Sequence, residues 1–233
     1  MRTRIKICCM ASLEEAQLAI RAGADAVGFV GVRPASPRAV DDRTITAIAA
    51  LVPPPIATFL LTSECTAAGV ARHVLATGVS TVQIVSHLSP SESEQLPKLL
   101  PTTRRVQVIH VESERALDLI DHYAPHVHAF LLDSGRPALP IPEYGGTGRT
   151  HDWSVSAEFV RRSPHPVFLA GGLSPGNVGA AMRTVRPFGV DLCSGVRTEG
   201  RLDREKLAAF IDAVRRADAE ISVGVGSDVT SLS

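Results

Sequence analysis

The 233-residue chain has no surplus of charge: 24 basic side chains face 24 acidic ones, and no block of like charge stands out. That balance argues against nucleic acid or an anionic membrane as the main partner, since either calls for a basic patch or stripe. A small anionic ligand stays open, because a handful of local donors is enough to bind one. The N-terminus lacks the long apolar stretch of an export signal, and no window approaches the length of a membrane span. The four cysteines, Cys8, Cys9, Cys65 and Cys193, show no CxxC spacing and no companion histidine at zinc-site spacing. A chain of this size does not need a disulfide scaffold, so a reducing, cytoplasmic setting is expected. His122, His126 and His128 lie close in sequence but alternate poorly for a metal site, and surface positions suit them better.

Hydrophobic residues make up 45% and charged residues 21% of the chain, enough for a large core with a polar surface. The length suits one α/β barrel or two small domains. The chain is read around residues 4–9, a short apolar strand that ends in two adjacent cysteines. Ser12 follows as a helix N-cap, with Glu15 three residues on to return the interaction, which is how a βα unit begins. Strand alternation sends Cys8 and Cys9 to opposite sides, one to the lumen mouth and one to the surrounding helices. The plainer alternative makes both small buried hydrophobes.

Strand-like and helical patterns then alternate to the end. Strands are expected at 26–30, 56–61, 81–85, 106–111, 127–132, 166–170 and 188–193. Helices are expected at 13–22, 42–51, 66–76, 89–100, 113–123 and 153–162, from Ser174-Pro175 onward, and at 203–217. Eight strand–helix repeats in this length predict a single-domain (β/α)8 TIM barrel over residues 1–217, with 218–233 as a loose, flexible tail. A doubly wound open sheet is the alternative. The absence of a glycine-rich fingerprint after strand one counts against its dinucleotide-binding form.

In such a barrel the loops after the strands' C-terminal ends build the active site. Strand one ends at Cys8, the loop after strand two carries Arg38, and strand six runs into Asp133. A carboxyl at the edge of an apolar strand can have a raised pKa and act as an acid, although a lone Asp more often caps a loop or helix. Strands seven and eight end in Gly171-Gly172 and Ser194-Gly195, where a backbone free of side chains can approach a phosphate; tight βα turns are the structural alternative. His110 ends strand five, with a pocket-facing role and a plain rim role equally open.

Taken together these ends resemble the phosphoribosylanthranilate isomerase family. The resemblance rests on Lys6-Ile7-Cys8, Gly23-Ala24-Asp25-Ala26-Val27-Gly28-Phe29-Val30 and Ser36-Pro37-Arg38, then on Leu131-Leu132-Asp133. It continues with Glu143-Tyr144-Gly145-Gly146-Thr147-Gly148-Arg149-Thr150, Ala170-Gly171-Gly172-Leu173-Ser174-Pro175 and Val190-Asp191 with Ser194-Gly195-Val196. It implies a barrel of the tryptophan-biosynthesis type, working without metal or organic cofactor on a small phosphosugar, as monomer or homodimer. It also implies an Amadori rearrangement, with Asp133 as general acid and Cys8 thiolate as general base. Arg38 would meet the anthranilate carboxylate, with Gly145 and Gly146 as further substrate contacts, to which the strand-end reading adds His110. Gly171, Gly172, Ser194 and Gly195 would hold the phosphate. An ordinary thiol is only a few per cent ionised at neutral pH, so this role asks for cations near the sulfur.

Several positions depart from the family pattern. Cys9 stands where Gly is usual after the catalytic cysteine, and Gly31 stands where Phe is usual. Cys193 and Arg197 replace the usual Ser and Glu, and Gln83-Ile84-Val85-Ser86 has lost a His and a Gly, with His87 two positions past the missing His. These changes alter the wall around the aromatic ring. They keep open a paralogue acting on another ribose-phosphate conjugate, and a catalytically silent phosphosugar-binding barrel.

Overall fold

The computed structural model describes residues 2–32, 36–135 and 148–227. Gly145 and Gly146 lie outside these residues. Eight parallel strands pair in chain order and close on themselves: β1 (Arg4–Ile7), β2 (Ala26–Val30), β3 (Ala57–Thr62), β4 (Thr81–Ile84), β5 (Arg104–His110), β6 (Ala129–Asp133), β7 (Val167–Leu169) and β8 (Gly189–Leu192). Closure is made by β1 against β8, in register from Arg4 opposite Gly189 to Ile7 opposite Leu192. The helices are α1 (Leu13–Ala22), α2 (Asp42–Ala49), α3 (Ala67–Thr77), α4 (Pro90–Leu99), α5 (Leu119–Tyr123), α6 (Trp153–Arg162), α7 (Val178–Val185) and α8 (Arg204–Ser227).

The first helix takes Ser12 as its cap, as its sequence predicts, while Glu15 returns its bond one residue before the cap. Ser12 Oγ accepts from the Glu15 amide at 3.3 Å, and the Glu15 carboxylate reaches back to the Ala11 amide at 3.1 Å. Gly23, at φ 107°, ends the helix in the left-handed region that a Cβ would disfavour.

Alternation along each strand sorts the side chains into two cores. Ile5, Ile7, Val27, Phe29, Phe130 and Leu132 point outward and are buried between sheet and helices. Ala26, Phe59, Val108, Leu131 and Phe168 point inward and fill the lumen, where the Phe59 and Phe168 rings meet edge to face at 6.1 Å. Each such large apolar side chain contributes about 1.5–3 kcal/mol of burial. Lys6 shares the inward face with no exposed surface, its ammonium 2.8 Å from Asp191 and 5.2 Å from the Phe59 ring centroid.

Three expectations are corrected. The segment after β7 does not enter its helix at Ser174. Asn177 Oδ1 accepts from the Ser174 amide and its Nδ2 donates to the Gly172 carbonyl, so 172–177 is held as a turn and α7 begins at Val178. The final helix does not stop at Ala217 but continues through Ser227. Its added turns have partners: Asp218 accepts from the Thr3 amide and hydroxyl, Glu220 pairs with Arg183, and Ile221 packs on the outer core. The third correction concerns Cys9. The strand ends at Ile7 and Cys9 turns to φ 67°, which brings both thiols into one buried cluster with Val30 instead of sending them to opposite sides.

Candidate active site

The C-terminal mouth of the barrel is reached from β1, β6, β7 and β8. Cys8 follows β1, its amide bonded to the Leu192 carbonyl at 2.9 Å, and only 4% of its surface is exposed. It continues the inward face of Lys6. A Cβ built on Gly28 would lie 2.9 Å from Cys8 Sγ and 3.1 Å from Lys6 Nζ. Gly28 therefore makes the room in which a thiol and an ammonium share the lumen. Lys6 stays charged there: burial works against its proton, but the facing Asp191 carboxylate outweighs it and raises the pKa.

Asp133 ends β6 on the same inward parity as Ala129 and Leu131. Burial pushes its carboxyl up to about 6 and Asp191 pushes the same way. The Ser134 amide, donating at 2.7 Å, and the Lys6 ammonium hold it from going further. Thus Lys6 and Asp191 form a charged floor beneath both Cys8 and Asp133. The sequence reading missed that floor; the signal was a lysine and an aspartate inside otherwise apolar strand runs.

Arg38 is brought to the mouth by the strand-like contact of Val30 with Ala39, reinforced by the Val40 amide on the Val30 carbonyl at 2.9 Å. Its guanidinium lies close enough to Cys193 to help hold that thiol down at about 7. His110 lies opposite Asp133 in the β5–β6 register, on the inward parity of Val106 and Val108. Its Nε2 meets the Val85 carbonyl at 3.2 Å, and burial lowers its pKa to about 4. It is neutral at physiological pH, able to orient a ligand but not to neutralise one. The His87 ring stands 6.0 Å from it.

The two glycine turns sit back to back. A Cβ on Gly195 would lie 2.3 Å from the Leu173 carbonyl oxygen. On Gly172, at φ 62°, a Cβ would meet the Arg149 carbonyl carbon at 2.5 Å. Glycine is required at both places, and the requirement brings the ends of β7 and β8 together as an anion cradle needs. His151, which the sequence reading did not single out, approaches the Gly171 turn, and burial lowers its pKa to about 4. A cavity of about 640 Å³ opens between the segments that follow β5 and β6, lined by Glu112, Ser113, Ser134, Arg149 and His151 among others; Asp133 and Cys8 do not line it.

The departures from the family pattern also find their places. The space beyond Gly31 is taken by His73, whose ring would lie 2.4 Å from a Cβ there. Cys9, Cys193 and Arg197 come together although they are distant in sequence: Arg197 Nη2 donates to the Cys8 and Cys9 carbonyls, and Cys193 packs on the Cys8–Cys9 cluster.

A closed parallel eight-stranded barrel with its polar chemistry gathered at the C-terminal mouth defines a (β/α)8-barrel protein of the enzyme type. Residues 5–213 match the family model described as N-(5'-phosphoribosyl)anthranilate isomerase, and the chain belongs to that family. A relative of that name from Haloarcula marismortui is 36% identical over 217 residues, covering 92% of this chain and 97% of its own. The enzyme numbered 2 of that name from Methanosarcina mazei is 35% identical, covering 89% and 92%. Among solved structures, the phosphoribosyl anthranilate isomerase of Thermus thermophilus superposes with a TM-score of 0.78 at 26% identity, covering 92% of this chain and 99% of its own. Another isomerase structure, in complex with reduced 1-(o-carboxyphenylamino)-1-deoxyribulose 5-phosphate, superposes with a TM-score of 0.76 at 26% identity over the same shares. No helix among the described residues is long and apolar enough to cross a membrane.

Proposed function

We propose that this protein catalyses the Amadori rearrangement of N-(5-phosphoribosyl)anthranilate to 1-(2-carboxyphenylamino)-1-deoxyribulose 5-phosphate, a step of tryptophan biosynthesis. The observation that carries the reading is the placement of Cys8 and Asp133 on one inward face over the Lys6–Asp191 floor, with the Asp133 carboxyl raised to about 6. An acid of that strength keeps roughly a tenth of its proton at pH 7.

The chemistry follows from these positions. Asp133 gives its proton to the furanose oxygen, which opens the ring to a Schiff base. Cys8 as thiolate takes the C2 proton, and the enolamine that forms tautomerises to the ketone. Lys6 stands beside Cys8 as the cation of the floor. Gly171, Gly172, Ser194 and Gly195 hold the phosphate through main-chain donors, and the Arg38 fork pairs with the anthranilate carboxylate. Gly145 and Gly146, by resemblance, complete the substrate contacts. We also place the protein in a reducing cytoplasmic setting, which its four free cysteines suit.

Decay of phosphoribosylanthranilate fluorescence tests the reading. Cys8→Ala and Asp133→Asn are each expected to lower turnover by at least 10²-fold, the usual weight of a general acid or base. A wild-type protein that leaves the signal untouched would overturn the assignment, and activity surviving in either variant would overturn the residue roles.

A further inference from the structure

Three thiols meet at the barrel mouth, and only one of them has work in the proposed isomerisation. Cys9 is 7% exposed and packs in one cluster with Cys8 and Cys193. Cys193 is the most accessible of the three, half-buried where Cys8 and Cys9 are buried. The Cys9 thiol donates to it, and the Arg38 and Arg197 guanidinium groups face it, so it titrates at about 7 against a burial penalty that works the other way. The same hydrogen bonds, with burial, drive Cys9 well up. Arg197 also grips the Cys8 and Cys9 carbonyls, which holds the left-handed turn of Cys9 against which Cys193 packs.

We propose that Cys193 is a site of peroxide modification and that Cys9 resolves it, giving a reversible Cys9–Cys193 disulfide that leaves Cys8 as a thiol. In the first step the Cys193 sulfur attacks a peroxide oxygen. The S–O bond forms, the O–O bond breaks, and the departing hydroxide takes a proton to become water. In the second step Cys9 gives up its proton and its sulfur attacks the Cys193 sulfenic acid. The S–S bond forms, the S–O bond breaks, and a second water leaves. Two thiols lose two electrons and one peroxide gains them. A cellular dithiol reverses the bond by exchange. The ordering follows from access and ionisation: the thiolate is the reactive form, and oxidant entering the mouth meets Cys193 before the deeper Cys8.

The test is peptide mapping of the whole protein after brief treatment with stoichiometric hydrogen peroxide, quenching and alkylation. A cross-link joining the peptide of Cys9 to that of Cys193 is expected, present also in Cys8→Ala and removed by dithiothreitol. In Cys9→Gly the cross-link is expected to vanish and dimedone to label Cys193. In untreated protein at pH 7, iodoacetamide is expected to label Cys193 several-fold faster than the more exposed Cys65. At that pH a thiol titrating near 7 is about half ionised, a gain partly offset by weaker nucleophilicity. A cross-link that runs through Cys8, or a Cys193 slower than Cys65, overturns the proposal. So does Cys9→Gly protein that gives no dimedone adduct at Cys193. None of these readouts depends on turnover, so their failure is separable from failure of the isomerase reading.

Discussion

At the scale of single residues, the candidate acid is the place where stability and chemistry pull apart. The Asp133 carboxyl titrates near 6 in the fold against about 3.9 in an unfolded chain. A group raised in this way contributes its stability below the unfolded value and loses it as pH rises through 6. Above 6 the protein therefore carries a buried charge as a cost. Asp133→Asn is expected to be more stable than wild type at pH 8 by about 1–2 kcal/mol, allowing for partial exposure, while losing turnover. Urea titrations at pH 8 and pH 4 check this, and a gap that fails to narrow at pH 4 would refute the cause given. Catalysis has the matching signature: the limb of the pH–rate profile set by this acid should fall as pH rises past about 6.

Lys6 and Asp191 make a second case. Removing one partner of a buried ion pair strands the other, typically at 3–5 kcal/mol, whereas replacing both with apolar groups is often neutral. Lys6→Met is therefore expected to be severely destabilised, and adding Asp191→Leu should restore most of the loss in denaturant titration. The single change should also lower turnover before it unfolds the protein, since the floor faces both Cys8 and Asp133. The residues named from sequence at Cys8, Asp133, Arg38 and His110 all lie at the mouth. The floor was not read from the sequence, because parity and closure put Lys6 and Asp191 on neighbouring strands but not their side chains in contact.

At the scale of elements, the turns after β7 and β8 carry the sharpest constraint. A Cβ on Gly195 would sit 2.3 Å from the Leu173 carbonyl, so the backbone itself must move. Gly195→Ala is expected to cost about 1–3 kcal/mol, as overpacking usually does. Because the cradle would spread, KM for the phosphosugar should rise more than kcat falls; an unchanged KM would detach this turn from the phosphate. The helix starts were mostly readable, since Ser12, Asp41, Thr66, Ser89 and Asp152 each cap as their residue type suggests. The start of α7 was not. Ser174-Pro175 looks like a cap and first turn, but Asn177 bonds both ways along the chain and keeps the segment a turn. Cys9 escaped for a similar reason: a left-handed φ on a non-glycine residue leaves no mark in the pattern of hydrophobic residues.

At the scale of the whole molecule, the eightfold repeat and its closure were legible because periodicity and length point to one architecture. What the sequence did not reveal is how far the last helix reaches. The segment after Ala217 reads as polar and glycine-rich, yet Asp218 fastens the Thr3 amide and hydroxyl, and Ile221 rests on the outer core. These contacts secure the seam where β1 meets β8. Ending the chain at Ala217 is expected to cost about 1–3 kcal/mol, the range for stranding hydrogen-bonded buried groups, and to lower the melting temperature by several degrees. Asp218→Ala should reproduce part of it. A truncated protein that melts with the full chain would mean that the added turns are passengers.

The pairing of Lys6 with Asp191 has a further consequence for biosynthesis. The lysine belongs to the first strand of the barrel, whereas its counter-ion arrives only when the eighth is made. Until then a nascent chain has a positive charge inside an incomplete wall, and the exposed edge of its first strand waits for the same late arrival. An uncompensated buried charge is costly, so the first strand is expected to reach its buried place only once the eighth strand supplies the carboxylate.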